Sequence, residues 1–110
     1  MKITKTYRGF NIGSFLDRNG QECSLQESSV CCTDEEEGSY IWLGVDDANP
    51  QVLARDAHKV GVKTSEDCGW IPYPVPEEVL LHTRMHLSQR QVKELLPLLQ
   101  HFAETGSLPE

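Results

Sequence analysis

The chain has 110 residues and a formal charge of −7, with 38% apolar, 25% charged and 7% aromatic residues. That length fits one domain of ordinary size, 1–110. No apolar run approaches the roughly 18 residues of a membrane span, residues 1–10 lack the apolar stretch of a secretion signal, and a cytosolic protein is expected. Composition thus excludes membrane, collagen, repeat and secreted disulfide classes without naming a function.

Charge is unevenly spread. Residues 1–20 sum to +3, residues 21–50 to −8 and residues 51–110 to −2. Binding to DNA or RNA backbone is disfavoured, because that affinity comes from neutralising phosphates with basic side chains. A small anion in a local basic pocket remains open, as does mimicry of nucleic acid by the acidic middle. Cys23, Cys31, Cys32 and Cys68 form no CxxC pair, so reduced thiols are expected rather than a metal site.

In chain order, Ile12 to Leu16 and Gln21 to Gln26 flank Asp17-Arg18-Asn19-Gly20, and predict a β-hairpin in which Asn-Gly supplies positive backbone angles. Residues 28–39 read as an exposed acidic loop ending near Gly38. Tyr40 to Val45 is a continuous apolar run, predicting a central strand buried on both faces with Trp42 in the core. Asn49 and Pro50 offer a cap and first turn for a helix over about 50–60, stopped by Gly61. Residues 62–78 read as a linker, Pro-rich over 69–78, and prolines 72, 74 and 76 forbid a central strand there. Val79 to Leu87 predicts a further strand. Ser88 with Gln91 fits a capping box, opening a helix to about Glu104 that Gly106 ends and Pro97 kinks. The sum is an α+β domain: a small, mostly antiparallel sheet of three to five strands with two helices, the longer one C-terminal.

Chemistry concentrates after residue 79. Alternation along a strand puts His82, Arg84 and His86 on one face, leading into the helix start at Ser88. A helix N-terminus favours anions, Arg84 offers a planar fork for phosphate, and Arg90 lies in the first turn. A solvated face with two exposed histidines and a site for a small phosphorylated ligand both fit this pattern; catalysis by the histidines is a third reading. His86-x-Ser88 matches one arm of a two-histidine phosphoesterase, but no second arm exists. No phosphate-binding glycine loop and no Cys-His signature is present. Asp46, Asp47 and Asn49 read as helix-cap chemistry, not as metal ligands. Trp70 and Tyr73, held on a stiff Pro-rich segment, are candidates for stacking on a base.

Three blocks together carry a resemblance: FLDRNGQECSLQESS (15–29), IWLGV (41–45), and TRMHLS (83–88) running through the helix to Leu108. They cover about half of the chain. The set is similar to small phage-encoded proteins, and within them resembles the first Thoeris anti-defence family. That resemblance implies a non-catalytic sponge without cofactor or metal. It would bind a cyclic ADP-ribose isomer made by the host's TIR-domain proteins, and some members capture cyclic oligonucleotides. It implies a homo-oligomer, dimeric or larger, acting in the host bacterial cytoplasm without contacting nucleic acid or membrane. Arginines clamp phosphates in such proteins and aromatics stack on the base. Arg84 and Arg90 suit the first role, with His82, His86 and Ser88 assisting; Trp70, Tyr73 or Phe102 suit the second by chemistry, not by motif. Segment 46–80 lies outside the resemblance. The alternative is a protein-binding inhibitor of a bacterial defence nuclease, anti-CRISPR-like, acting through the acidic 34–47 region.

Overall fold

The computed structural model describes residues 1–30 and 36–110. They form seven strands, one 3-10 helix and one α-helix, in two compact units. Met1–Asp46 with Arg84–Glu110 make the first unit, and Asp47–Thr83 make the second. The architecture is α+β, as the sequence predicts, with the longer helix C-terminal.

The first unit is built on an antiparallel sheet. Its strands are β1 (Ile3–Lys5), β2 (Asn11–Leu16), β3 (Glu22–Glu27), β4 (Tyr40–Val45) and β7 (Met85–Ser88), in the spatial order β1-β2-β3-β4-β7. The expected hairpin is β2–β3, with Leu16 opposite Glu22. Its turn works differently from the simple Asn-Gly reading. Only Gly20 takes a positive φ, +80°, while Asp17 Oδ1 accepts the backbone N–H groups of Asn19 and Gln21 at 2.8 and 2.9 Å. The carboxylate therefore substitutes for a second left-handed residue.

The register sorts the sheet into two faces. One row runs Ile3, Gly13, Leu25, Leu43 and Met85; the next runs Thr4, Ile12, Gln26, Trp42 and His86. The first belongs to an apolar face and the second to a polar and aromatic one. β4 is internal to the sheet, but all six of its residues are only half-buried. The expectation of burial on both faces fails because one face of the sheet is polar, carrying Gln26 and His86 on either side of Trp42. Trp42 is accordingly not a core residue.

Predicted strand 79–87 is shortened to β7. Val79 N–H donates to Pro76 O at 3.0 Å in a turn, and His82 makes an isolated bridge to Asp47. Only from Met85 onward does the chain pair with β4, at Leu43. The regular His82–Arg84–His86 alternation is therefore broken: His82 lies in the second unit, Arg84 and His86 in the first.

Helix α1 (Gln89–Thr105) starts at the predicted capping box. Ser88 Oγ accepts from Gln91 N at 3.1 Å, and Gln91 Oε1 accepts from Ser88 N at 3.0 Å. Gly106, left-handed at φ 78°, donates to Phe102 O at 2.8 Å and ends it. No residue of α1 is buried.

In the second unit the predicted helix over 50–60 divides into two elements. β5 (Gln51–Leu53) pairs with β6 (Trp70–Pro72), and a 3-10 helix follows over Ala54–Val60. Asn49 caps nothing: the residue before the helix is Leu53, without a side-chain cap bond. Pro50 O instead accepts from Tyr73 N at 3.0 Å, and Ala54 N donates to Gly69 O at 2.9 Å. Pairing of the two segments thus overrides the local helix signal. Gly61 ends the helix as expected, at φ 78°. Part of the Pro-rich stretch is therefore strand, but in a two-stranded sheet both strands are edges, where proline is tolerated. Ala54, Ala57 and Ile71 form this unit's small core, with Val52 and Val62 against it.

Among the described residues no helix is long and apolar enough to cross a membrane. Replacing Ser88 by Ala is expected to lower stability by about 1 kcal/mol, read by urea unfolding, since one cap bond is lost at a buried position. An unchanged unfolding midpoint would show that the capping box carries no stability.

Candidate functional site

The strongest concentration of functional side chains lies on the polar face of the five-stranded sheet. From β3 come Ser24 and Gln26, with Ser28 just beyond; from β4 come Tyr40 and Trp42; around β7 come Arg84 and His86. These residues fall together because the register sets Gln26, Trp42 and His86 side by side.

Arg84 is half-buried and held at several points. Its Nη1 donates to Gln26 Oε1 at 2.8 Å and to Ser24 Oγ at 3.1 Å. Ser24 Oγ in turn donates to Asp46 Oδ1, so a carboxylate stands one hydroxyl away from the guanidinium. The guanidinium carbon lies 5.7 Å from the centroid of Trp42, within range for a cation–π contact. His86 stacks on the same indole, with ring centres 3.8 Å apart and planes 13° from parallel. Its Nε2 hydrogen-bonds Ser28 Oγ at 2.9 Å, and Tyr40 flanks it at 5.3 Å. Trp42 is therefore held in place by an imidazole and a guanidinium.

Trp42 and Gln26 also line a cavity of about 400 Å³, completed by Thr6, Tyr7, Arg8, Phe10 and Ser29. Tyr7 is fully exposed, and Arg8 lies over the Phe10 ring at 5.7 Å. The β1–β2 connection that carries them is braced by Thr6: its N–H donates to Phe10 O at 2.8 Å, and its Oγ1 accepts from Phe10 N at 3.1 Å. The cavity thus offers three aromatic rings and an arginine. Stacking surfaces next to a guanidinium are what a nucleotide requires of its site.

The other expected site residues are distributed differently. Ser88 is 2% exposed and consumed by the capping box. The first free N–H groups of α1 are also taken: Gln89 N donates to Ser39 O at 2.7 Å, and Arg90 N to Glu37 O at 3.1 Å. The helix start is therefore closed by its own chain, and an anion would have to displace these bonds. The Arg90 guanidinium lies 3.5 Å from Glu37 and 3.7 Å from Glu94. His82, Trp70 and Tyr73 belong to the second unit, where Trp70 is 64% and Tyr73 40% exposed. Phe102 lies on α1.

Sequence reasoning missed Tyr7, Arg8, Gln26 and the role of Trp42. A signal for two of them existed. Ser24, Gln26 and Ser28 alternate with Cys23 and Leu25 along one arm of a recognised hairpin, which marks a polar face. Tyr40 and Trp42 share the matching parity on β4. Nothing local pointed to Tyr7 and Arg8, whose place depends on the unpredicted strand β1.

No group of three or more metal-ligating side chains occurs among the described residues. Cys23 and Cys68 are free thiols; Cys31, Cys32, Asp34 and Glu35 lie outside the described residues. Burial, with the nearby Asp17 and Asp46 carboxylates, pushes the Cys23 thiol up from its ordinary value. Comparison of the chain with protein-family models, curated proteins and solved structures finds no match.

A raised pKa leaves Cys23 as the unreactive thiol at neutral pH. Alkylation followed by peptide mapping at pH 7 should label exposed Cys68 at least about tenfold faster than Cys23, and denaturant should abolish the difference. Equal rates in the native protein would contradict the burial assigned to Cys23.

Proposed function

We propose that the chain binds a small phosphorylated nucleotide signal and sequesters it without cleavage. In the context of the resemblance described above, it acts as a phage anti-defence sponge in the host bacterial cytoplasm, its ligand a cyclic ADP-ribose isomer. One observation carries the reading: Trp42, braced by His86 and Arg84, forms a wall of a cavity that also holds Tyr7, Arg8 and Phe10. Trp42 and Tyr7 supply stacking surfaces for a base. Arg8 supplies a cation at the cavity, and Arg84 a second cation against the same indole.

The chemistry of retention follows from these groups. In a protein of charge −7 there is little long-range attraction for an anion, so affinity depends on short contacts in the cavity. Charge-assisted hydrogen bonds from an arginine fork to phosphate are stronger than neutral ones, and a base placed on an indole gains about 1–3 kcal/mol. His86 is engaged by Ser28 and stacked on Trp42, a positioning role, so the reading assigns it no proton transfer. No cofactor is required.

Calorimetric titration of the full chain with a panel of cyclic ADP-ribose isomers tests this. Binding is expected for at least one isomer. Replacing Trp42 by Ala, or Arg84 by Ala, should each weaken it about 10-fold or more. Arg90→Ala should change affinity less than threefold, because that side chain sits among carboxylates. Absence of binding to every isomer, or conversion of the ligand during titration, would overturn the reading. Binding unaffected by Trp42 and Arg84 would relocate the site.

A further inference from the structure

The polarity of one amide at the cavity is fixed by the chain itself. Arg84 Nη1 stands 2.8 Å from the Gln26 amide, and a guanidinium donates hydrogen bonds but never accepts them. The amide atom facing Arg84 is therefore the oxygen, Oε1, and the end left over is Nε2 with its two hydrogens. Arg84 is held in turn: it donates to Ser24 Oγ at 3.1 Å, and Ser24 donates onward to Asp46 Oδ1. Turning the amide over would set N–H against N–H.

Gln26 and Trp42 stand opposite one another on β3 and β4, and both line the cavity. Such cross-strand neighbours have Cβ atoms about 5 Å apart, so a ring stacked on the indole brings its rim, not its face, to Gln26. The rest of the lining has the same polarity. Arg8 can only donate. Thr6 Oγ1 already accepts from Phe10 N, which leaves its own hydrogen to donate. Among the described residues no carboxylate lines the cavity, in a chain with 17 acids.

A glutamine reads adenine by accepting from the 6-amino group through Oε1 while donating to N7 through Nε2. Here Oε1 is engaged by Arg84, and the donating half of that pair is left. A 6-oxopurine offers such donors two adjacent acceptors, O6 and N7. A 6-aminopurine offers N7 alone and sets its own N–H groups against them. We propose that Gln26 is the base-reading residue of this cavity, positioned by Arg84, and that it selects a 6-oxopurine edge over a 6-aminopurine edge. This inference rests on the nucleotide reading of the cavity and adds which base that wall prefers; an adenine ligand is held through ring nitrogens, without help from its amino group.

Inosine and adenosine 5′-monophosphate test it, because they carry the same ribose and phosphate and differ in the base at position 6. In calorimetric titrations the full chain should bind the inosine nucleotide about fivefold or more tightly. Gln26→Glu keeps an oxygen toward Arg84 but replaces the donor with an acceptor, so the preference should reverse. Gln26→Ala and Arg84→Ala should each bring the two affinities within about twofold of one another. A purely structural role for Gln26 would leave the ratio unmoved by these changes, and any repulsion of phosphate by the new carboxylate cancels in it. Should Gln26→Glu unfold, as read by circular dichroism, Gln26→Ala carries the test. Equal affinities or a preference for the adenosine nucleotide in the parent overturn the proposal. So does a ratio indifferent to Gln26, or failure of both nucleotides to bind. The sequestration reading fails separately: no cyclic ADP-ribose isomer is bound while the inosine preference persists. An isomer bound by a chain without that preference overturns the base assignment alone.

Discussion

The register of β4 between β3 and β7 is the constraint on which the rest depends. Gln26, Trp42 and His86 lie in one row across three strands, and Leu25, Leu43 and Met85 lie in the next. A shift of one residue would turn every side chain of β4 to the opposite face, moving Trp42 among leucines and Leu43 beside Arg84. The Asp17–Gly20 turn fixes the β2–β3 pairing that β4 then extends. From the other end, the Ser88 capping box anchors β7 where it becomes α1, and Gln89 and Arg90 tie that start to Ser39 and Glu37.

Two consequences follow from one sheet having such different faces. On the polar side, Arg84 is held by Gln26 and Ser24 and set against Trp42, so the arginine and the indole are positioned by the chain itself. On the apolar side, burial within the chain is thin: among the described residues of the first unit Cys23 is the fully buried apolar one, and no residue of α1 is fully buried.

Much of the local architecture was legible because local chemistry determined it. The β2–β3 hairpin, the capping box and the Gly61 and Gly106 helix ends are each decided by a few neighbouring residues. The failures share a different cause. The Asn49-Pro50 helix start lost to the pairing of β5 with β6, a contact between segments about twenty residues apart. The strand expected from 79 to 87 was shortened because its first half turns at Pro76 and bridges to Asp47. The candidate site was legible in part. Arg84 and His86 were found from their alternation, and the structure gives them Trp42, Ser24 and Gln26 as neighbours. Trp42 was misread because an apolar run in sequence does not reveal which neighbours lie beside it. Tyr7 and Arg8 were invisible, since only pairing of β1 with β2 brings their connection beside Trp42.

Native mass spectrometry of the chain, after incubation with cyclic ADP-ribose isomers, tests nucleotide capture most directly. The 12.4 kDa chain is expected to carry additional mass equal to one of the isomers, intact. Spectra of the chain with no retained nucleotide for any isomer, or with a cleaved one, would contradict sequestration.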